Sequence, residues 1–174
     1  MINIDERLIK KLKAGDKAAQ EACYISLSPI IYTALVKICR DREIANDLLH
    51  DTFIQIFDAV SKLDITANFV AWSKKIAINK ALNYVKRHKF DIVDSHTQFD
   101  CVAKELTDES DKLEVLLASL PVEHRIVIWL FIIEEYSHVE ISHFMNKSES
   151  YSKSIVSRCL KKLRLTLEKS HESC

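Results

Sequence analysis

The chain has 174 residues, of which 48% are hydrophobic, one is glycine and two are proline. This composition can build one domain of ordinary size or two small ones, and it favours helices because turn formers are scarce. The 25 basic and 25 acidic residues cancel, which excludes a uniformly basic or acidic protein. The first residues are charged and no uninterrupted apolar run reaches membrane-spanning length, so we expect no secretory signal, no membrane insertion and a cytoplasmic location.

The first half of the chain is predicted to be helical. A helix should run over 8–14 and stop at Gly15-Asp16, and a helix or helix pair should follow over 24–39, interrupted near Ser28-Pro29. A further helix over 44–63 shows an apolar stripe at intervals of three and four: Ile44, Leu48, Leu49, Thr52, Phe53, Ile56, Phe57 and Val60. Its opposite face is polar and would be read, without further context, as simply solvated: Asp47, His50, Asp51, Gln55 and Asp58.

The next predicted helix, over 69–89, has an unusual polar face. Residues 64–68 look like a short loop before it, and residues 71–90 hold six basic side chains and no acidic one. At about 100° per residue the apolar positions fall on one side. The other side combines cations with groups that can stack on bases or hydrogen-bond to them: Trp72, Lys75, Ile76, Asn79, Lys80, Asn83, Lys86 and Arg87. This pattern favours nucleic-acid contact over a solvated face, although Trp72 is also compatible with a core position.

Residues 88–112 contain seven acids against three lysines and lack sustained periodicity, which indicates a flexible connector and a domain boundary. Beyond it we predict a helix over 111–119 and a second one opened by Pro121 and running to Ile133. A turn at 134–136 precedes a short helix with a capping box of Ser137 and Glu140. After a turn at 146–147, Ser148 caps a last helix with five basic residues and no acid over 151–164. This order is typical of a helix-turn-helix.

Blocks of both halves resemble the extracytoplasmic-function class of the sigma-70 family. In the first half LKAGD (12–16), ANDLLHDTF (45–53, where the family usually shows AxDLxQExF) and FVAWSKKIAIN (69–79, similar to FxxWLxxIAxN) resemble region 2. In the second half Leu120-Pro121 with Arg125, SHVEI (137–141) and SESYSKSIVSRCLKKLR (148–164, against SxGTVKSRxxRAxxxLR) resemble region 4. The resemblance covers nearly the full length, and several blocks in the right order make it specific.

The resemblance implies an all-α fold of two small helical domains, with a region 2 domain at 1–90, a linker at 91–110 and a region 4 domain at 111–174. It implies a factor that binds core RNA polymerase and directs it to promoter DNA, with an anti-sigma factor as a possible further partner. The acidic linker would then either be a plain connector, which we favour, or mimic nucleic acid in the polymerase.

The family's roles fall on three sets of residues. Docking on the polymerase is implied for Asp47, Leu48, His50, Asp51 and Phe53. Recognition and opening of the minus-ten element is implied for Asn68, Phe69, Trp72, Lys75, Asn79, Lys80, Asn83, Lys86 and Arg87. Recognition of the minus-thirty-five element is implied for Ser150, Tyr151, Ser152, Lys153, Ser157 and Arg158.

Several positions depart from the family pattern. His50 and Asp51 stand where Gln and Glu are usual, and Glu135 and Ser150 where Gly is common. In the last helix Tyr151-Ser152 replaces Thr-Val and Ile155 replaces a usual Arg, so the promoter sequence cannot be transferred from relatives.

Two other classes of protein were weighed. A stand-alone helix-turn-helix regulator would share the last helices but would leave the DLLHDTF block and the basic helix unexplained. An enzyme would need a nucleophile, a base and an orienting group in one pocket, whereas the seven histidines are scattered and the five cysteines form no CxxC pair. We therefore expect no catalytic residue, no metal and no cofactor, and free thiols in a reducing compartment.

Overall fold

A computed structural model of the chain describes residues 4–64, 68–88 and 120–171, and within the last stretch the side chains of 120–162 and 164. The chain divides into two compact units, Met1–Phe99 and Asp100–Cys174. All regular elements of the described residues are helical, which confirms the all-α, two-domain prediction. The predicted linker over 91–110 and the helix over 111–119 lie outside the described residues.

The described residues of the first unit form four α-helices and one short 3-10 helix. These are α1 (Glu6–Lys13), α2 (Lys17–Cys39), α3 (Arg42–Ala59), the 3-10 helix (Val60–Lys62) and α4 (Phe69–Arg87). Each α-helix starts after a side chain that accepts a backbone N–H, at 2.8 to 3.1 Å. The caps are Asp5, Asp16, Asp41 and Asn68. Such caps satisfy amides that have no partner inside the helix and so fix where each helix begins.

Helix α2 continues through Pro29, so the predicted interruption near Ser28-Pro29 is wrong. A proline removes one backbone hydrogen bond and crowds the preceding turn, which costs about 3 kcal/mol in an isolated helix. Here Leu27 and Ile31 on either side are 1% and 0% exposed. Burial of side chains of this size contributes roughly 1.5–3 kcal/mol each, so packing outweighs the local cost.

Helix α2 is also the one helix, among the described residues, whose length and composition would suffice to cross a membrane. Ser, Thr and Pro interrupt its apolar residues, which is why the sequence shows no uninterrupted apolar run of that length. Its buried residues contact α3 and α4, which also pack on each other. Several α2 side chains are at most 1% exposed: Leu27, Ile31, Ala34, Leu35 and Ile38. This helix therefore forms the centre of the core of the first unit.

The second unit contains three described helices. They are α5 (Val122–Ile132), α6 (His138–Met145) and α7 (Glu149–His171), and both α5 and α6 pack on α7. The predicted capping box is confirmed, since Ser137 and Glu140 exchange hydrogen bonds. Asn146 has a φ of 53° in the turn between α6 and α7, which asparagine tolerates better than most residues. The result is the predicted order of short helix, tight turn and basic helix.

Candidate nucleic-acid and polymerase interface

The polar face predicted for α4 is exposed. Asn68 and five residues at helical spacing after it are exposed: Lys75, Asn79, Asn83, Lys86 and Arg87. Trp72, Ile76 and Lys80 flank them and are half-buried. No Asp or Glu occurs between 69 and 88. Helix α4 therefore offers cations and amides on this face and contributes no carboxylate of its own, which suits a nucleic-acid backbone and base edges.

The two aromatic residues at the start of α4 have different environments. Phe69 is 3% exposed, and the DNA contact that the family resemblance implies for it stays a prediction. Its ring lies 5.6 Å from that of Trp72, at an angle of 41°. The buried ring of Phe69 thus packs against Trp72. Trp72 is only half-buried, so it remains partly accessible for stacking on a base.

The acidic face of α3 is exposed as predicted for Asp47, His50 and Asp51, while Leu48 is half-buried. Phe53 is 2% exposed, and its ring centroid lies 4.5 Å from that of Tyr24; the docking role that the family resemblance implies for it stays a prediction. Its position in the apolar stripe of α3 explains the burial.

Ile54, which is 60% exposed on this face of α3, was not among the predicted docking residues. It stands seven residues after Asp47 and four after His50, and that spacing was the available signal. A large apolar side chain among carboxylates is a typical centre for a protein contact.

The last helix, α7, exposes a second row of polar residues. Ser150, Lys153, Ser157 and Arg158 are exposed, as expected for contacts in a DNA groove. Ser154 is exposed between them and was missed, although its spacing of four from Ser150 indicated the same face. Further along, the exposed cations are Lys161, Lys162 and Arg164.

One acidic residue lies among these cations. The Nζ of Lys153 is 2.7 Å from Oε1 of Glu149, one turn earlier, and both side chains are largely exposed. The hydrogen bond and charge of Lys153 lower the pKa of the Glu149 carboxyl. The carboxylate therefore competes with phosphate for the first lysine of α7.

Tyr151 and Ser152 both make hydrogen bonds within the second unit. Ser152 is 0% exposed, and the DNA contacts that the family resemblance implies for these two residues stay predictions. Its hydroxyl lies 3.0 Å from Nδ1 of His138. Tyr151 is half-buried and donates its hydroxyl to Oε2 of Glu123 at 2.7 Å. Burial, followed by this hydrogen bond, raises the pKa of Tyr151 to about 12.

The described cysteines belong to the core. Cys23, Cys39 and Cys159 are free and buried. Burial raises the pKa of the Cys23 thiol to about 11, and burial with the nearby Asp41 charge raises that of Cys39 to about 12. Thiols held protonated in this way are poor nucleophiles. Among the side chains described, those of 4–64, 68–88, 120–162 and 164, no three His, Cys, Asp or Glu residues come together in a way that could hold a metal ion.

Known proteins match both halves of the chain. Sigma-70 region 2 matches residues 23–90, and Sigma-70 region 4 matches residues 116–165. The chain is 27% identical over 141 residues to the ECF RNA polymerase sigma factor SigM of Bacillus subtilis, covering 77% of this chain and 86% of that protein. It is 23% identical over 160 residues to SigW of the same organism, covering 81% and 84%.

Solved structures show the same fold. The structure of CnrH in complex with the cytosolic domain of CnrY superposes with a TM-score of 0.62 at 20% identity, covering 96% of this chain and 99% of that one. The sigma factor RpoE in complex with the anti-sigma factor NepR, from Bartonella quintana, gives 0.59 at 17% identity, covering 85% and 96%.

The match to region 2 excludes the alternative of a stand-alone helix-turn-helix regulator, because it accounts for the first half of the chain that such a regulator would leave unexplained. The two matched regions stand in the order that the sequence blocks predicted. The chain therefore belongs to the sigma-70 family of transcription initiation factors, as a factor of the extracytoplasmic-function type.

Proposed function

We propose that this factor docks on core RNA polymerase through the exposed face of α3, opens and recognises the minus-ten element with the basic face of α4, and recognises the minus-thirty-five element with α7. The observation that supports this assignment most strongly is the face of α4. It combines cations, amides and a partly exposed tryptophan with no acidic residue.

The composition of that face fits strand opening. Moving a base out of the duplex costs a few kcal/mol, and stacking of that base on an aromatic ring contributes about 1–3 kcal/mol of favourable free energy. Trp72 supplies such a ring, and Asn79 and Asn83 supply amides that can hydrogen-bond to base edges. Lys86 and Arg87, in the last turn of α4, can neutralise phosphates of the separated strand.

The face of α3 fits a protein partner. Asp47, Asp51 and Asp58 give it negative charge, and Ile54 provides an exposed apolar centre. Interfaces commonly place an apolar anchor inside a polar rim, and the rim charges set partner choice and association rate. We assign this face to the polymerase rather than to DNA because its carboxylates would repel phosphate.

The dimensions of α7 fit duplex recognition. An α-helix with its side chains is about 10–12 Å wide, and the major groove is about 12 Å wide. Its exposed row of Ser150, Lys153, Ser154 and Ser157 can reach base edges and phosphates. Arg158 and the later cations extend the phosphate contact.

Bond formation is assigned to the polymerase, and the factor supplies binding energy and sequence recognition. The cytoplasm is the proposed location, since polymerase and template are found there. An anti-sigma factor is proposed as a further partner because the RpoE structure holds one and shares this fold. Such a partner would regulate the factor by covering its polymerase-binding or DNA-binding faces.

Permanganate footprinting of unpaired thymines tests the role of α4 in a complex of core polymerase, factor and promoter. Trp72→Ala should abolish most reactivity in the minus-ten element while the factor still binds core polymerase, because only the stacking surface is lost. Trp72→Phe should restore part of the reactivity, since it keeps a ring. Full reactivity with Trp72→Ala would refute the assignment.

A further inference from the structure

The first turn of α7 is tied to both other described helices of its unit. The hydroxyl of Tyr151 donates to Oε2 of Glu123 on α5 at 2.7 Å. The hydroxyl of the next residue, Ser152, is 3.0 Å from Nδ1 of His138 on α6. These two neighbouring residues are the ones that replace the Thr-Val pair usual in similar sequences.

Both hydrogen bonds are held in place by packing. Ser152 is 0% exposed, and the His138 ring stacks on that of Phe131 with centroids 4.5 Å apart and an angle of 12°. The Nζ of Lys147 lies 5.7 Å from the centroid of the Tyr151 ring. The phenol of Tyr151 is protonated at neutral pH with or without the rise of its pKa to about 12, so it is a donor to Glu123.

Two adjacent attachments to two different helices resist rotation of α7 about its own axis. The side-chain tips of a helix lie about 5–6 Å from its axis. A rotation of about 20° would therefore move the exposed tips by about 2 Å, whereas a hydrogen bond tolerates only a few tenths of an ångström. The attachments thus fix which base edges Ser150, Lys153, Ser154 and Ser157 can reach.

We propose that Glu123 and His138 are positioning residues for recognition of the minus-thirty-five element, holding α7 at one rotational setting through Tyr151 and Ser152. Neither residue needs to contact DNA. This inference rests on the proposed role of α7 and adds that promoter selectivity depends on two residues outside the recognition helix.

Transcription by core polymerase with the full-length factor, on a promoter library with a randomised minus-thirty-five element, tests the inference. The measured quantity is the transcript level from the most active minus-thirty-five sequences divided by the mean transcript level of the library. Tyr151→Phe, Glu123→Ala and Ser152→Ala should each lower this ratio by about fivefold or more, as expected when one base contact loses its geometry. Core binding should not change, because the substitutions lie outside the first unit.

Two controls separate positioning from a loss of folding. Glu123→Gln replaces the carboxylate with an amide whose oxygen can still accept from Tyr151, so it should retain most of the sequence preference in the minus-thirty-five element. Tyr136→Phe removes a phenol hydroxyl from the same unit but outside α7, and it should leave the ratio unchanged. Circular dichroism of each variant should show an intact helical fold at the assay temperature.

The possible failures are distinguishable. If the wild-type factor shows no preference in the minus-thirty-five element, both the proposed role of α7 and this inference are overturned. If the wild-type preference is clear and persists unchanged in Tyr151→Phe and Ser152→Ala, the inference alone is overturned.

Discussion

Removing two cations from the end of α4 should weaken promoter binding in a way that depends on salt. Lys86 and Arg87 are both exposed, in a helix without acidic residues. Each phosphate neutralised on a single strand contributes about 0.7 to the slope of log affinity against log salt. The double variant Lys86→Ala/Arg87→Ala should therefore lower the slope by about 1.4.

This change in slope corresponds to a measurable difference in affinity. Over a fourfold change in salt, from about 50 to about 200 mM, a slope change of 1.4 is a factor of about seven. The double variant should thus lose about sevenfold more affinity, relative to wild type, at the lower salt than at the higher one.

Fluorescence anisotropy of labelled promoter DNA, titrated with complexes of core polymerase and factor at several salt concentrations, measures the slope. A matched control removes two exposed cations from another helix of the same unit, Lys17→Ala/Lys37→Ala. The control should keep the wild-type slope. An unchanged slope in the α4 variant, or an equal change in both variants, would refute the assignment of the α4 face.

Three further substitutions test the docking face, the core and a strained turn. Ile54→Asp should weaken core polymerase binding by at least about fivefold in a pull-down titration. The melting temperature should not change, because the side chain is 60% exposed. An unchanged affinity would show that α3 is not part of the docking surface. Phe53→Ala should instead lower the unfolding free energy by about 3–5 kcal/mol in a urea titration, since the ring is 2% exposed, and a loss well below that would contradict its core role. Glu135→Gly should stabilise the second unit by about 1 kcal/mol in a thermal melt, because Glu135 has a φ of 57° that glycine adopts without strain. Glu135→Ala should bring no gain in stability. Equal effects of the two substitutions would argue against backbone strain at this position.

The helices and their polar faces were predictable because local signals determine them. Aspartate and serine caps stand directly before the helices they start, and the spacing of polar residues on α4 matches the exposed face. Glu135 illustrates the same point. Its positive φ explains why similar sequences often place glycine there.

The features that the sequence did not predict depend on contacts between residues that are remote in sequence. Ser152 is buried because His138, fourteen residues earlier, offers its hydroxyl a partner. Tyr151 turns toward Glu123, which lies on another helix. Pro29 is tolerated inside α2 because the surrounding side chains are packed against α3 and α4. A motif fixes spacing along a helix, but only the packed structure fixes which neighbours face inward.

Phe53 and Phe69 show a different limit, that of family motifs as a guide to the burial of single side chains. Both stand in motifs of the family, and both are large apolar residues on the buried side of their helices. The apolar stripe of α3 already included Phe53 and indicated its burial. For these two positions the helical pattern predicts the burial, and the roles that the family resemblance implies stay predictions.

Reconstituted transcription with mapped start sites tests the central claim most directly. Core polymerase alone and core polymerase with the purified factor are compared on genomic DNA, and binding to core is measured by analytical ultracentrifugation. The account predicts a one-to-one complex with core and a defined set of new start sites, each preceded by common minus-ten and minus-thirty-five sequences. A factor that does not bind core, or that leaves the start sites unchanged, would contradict it.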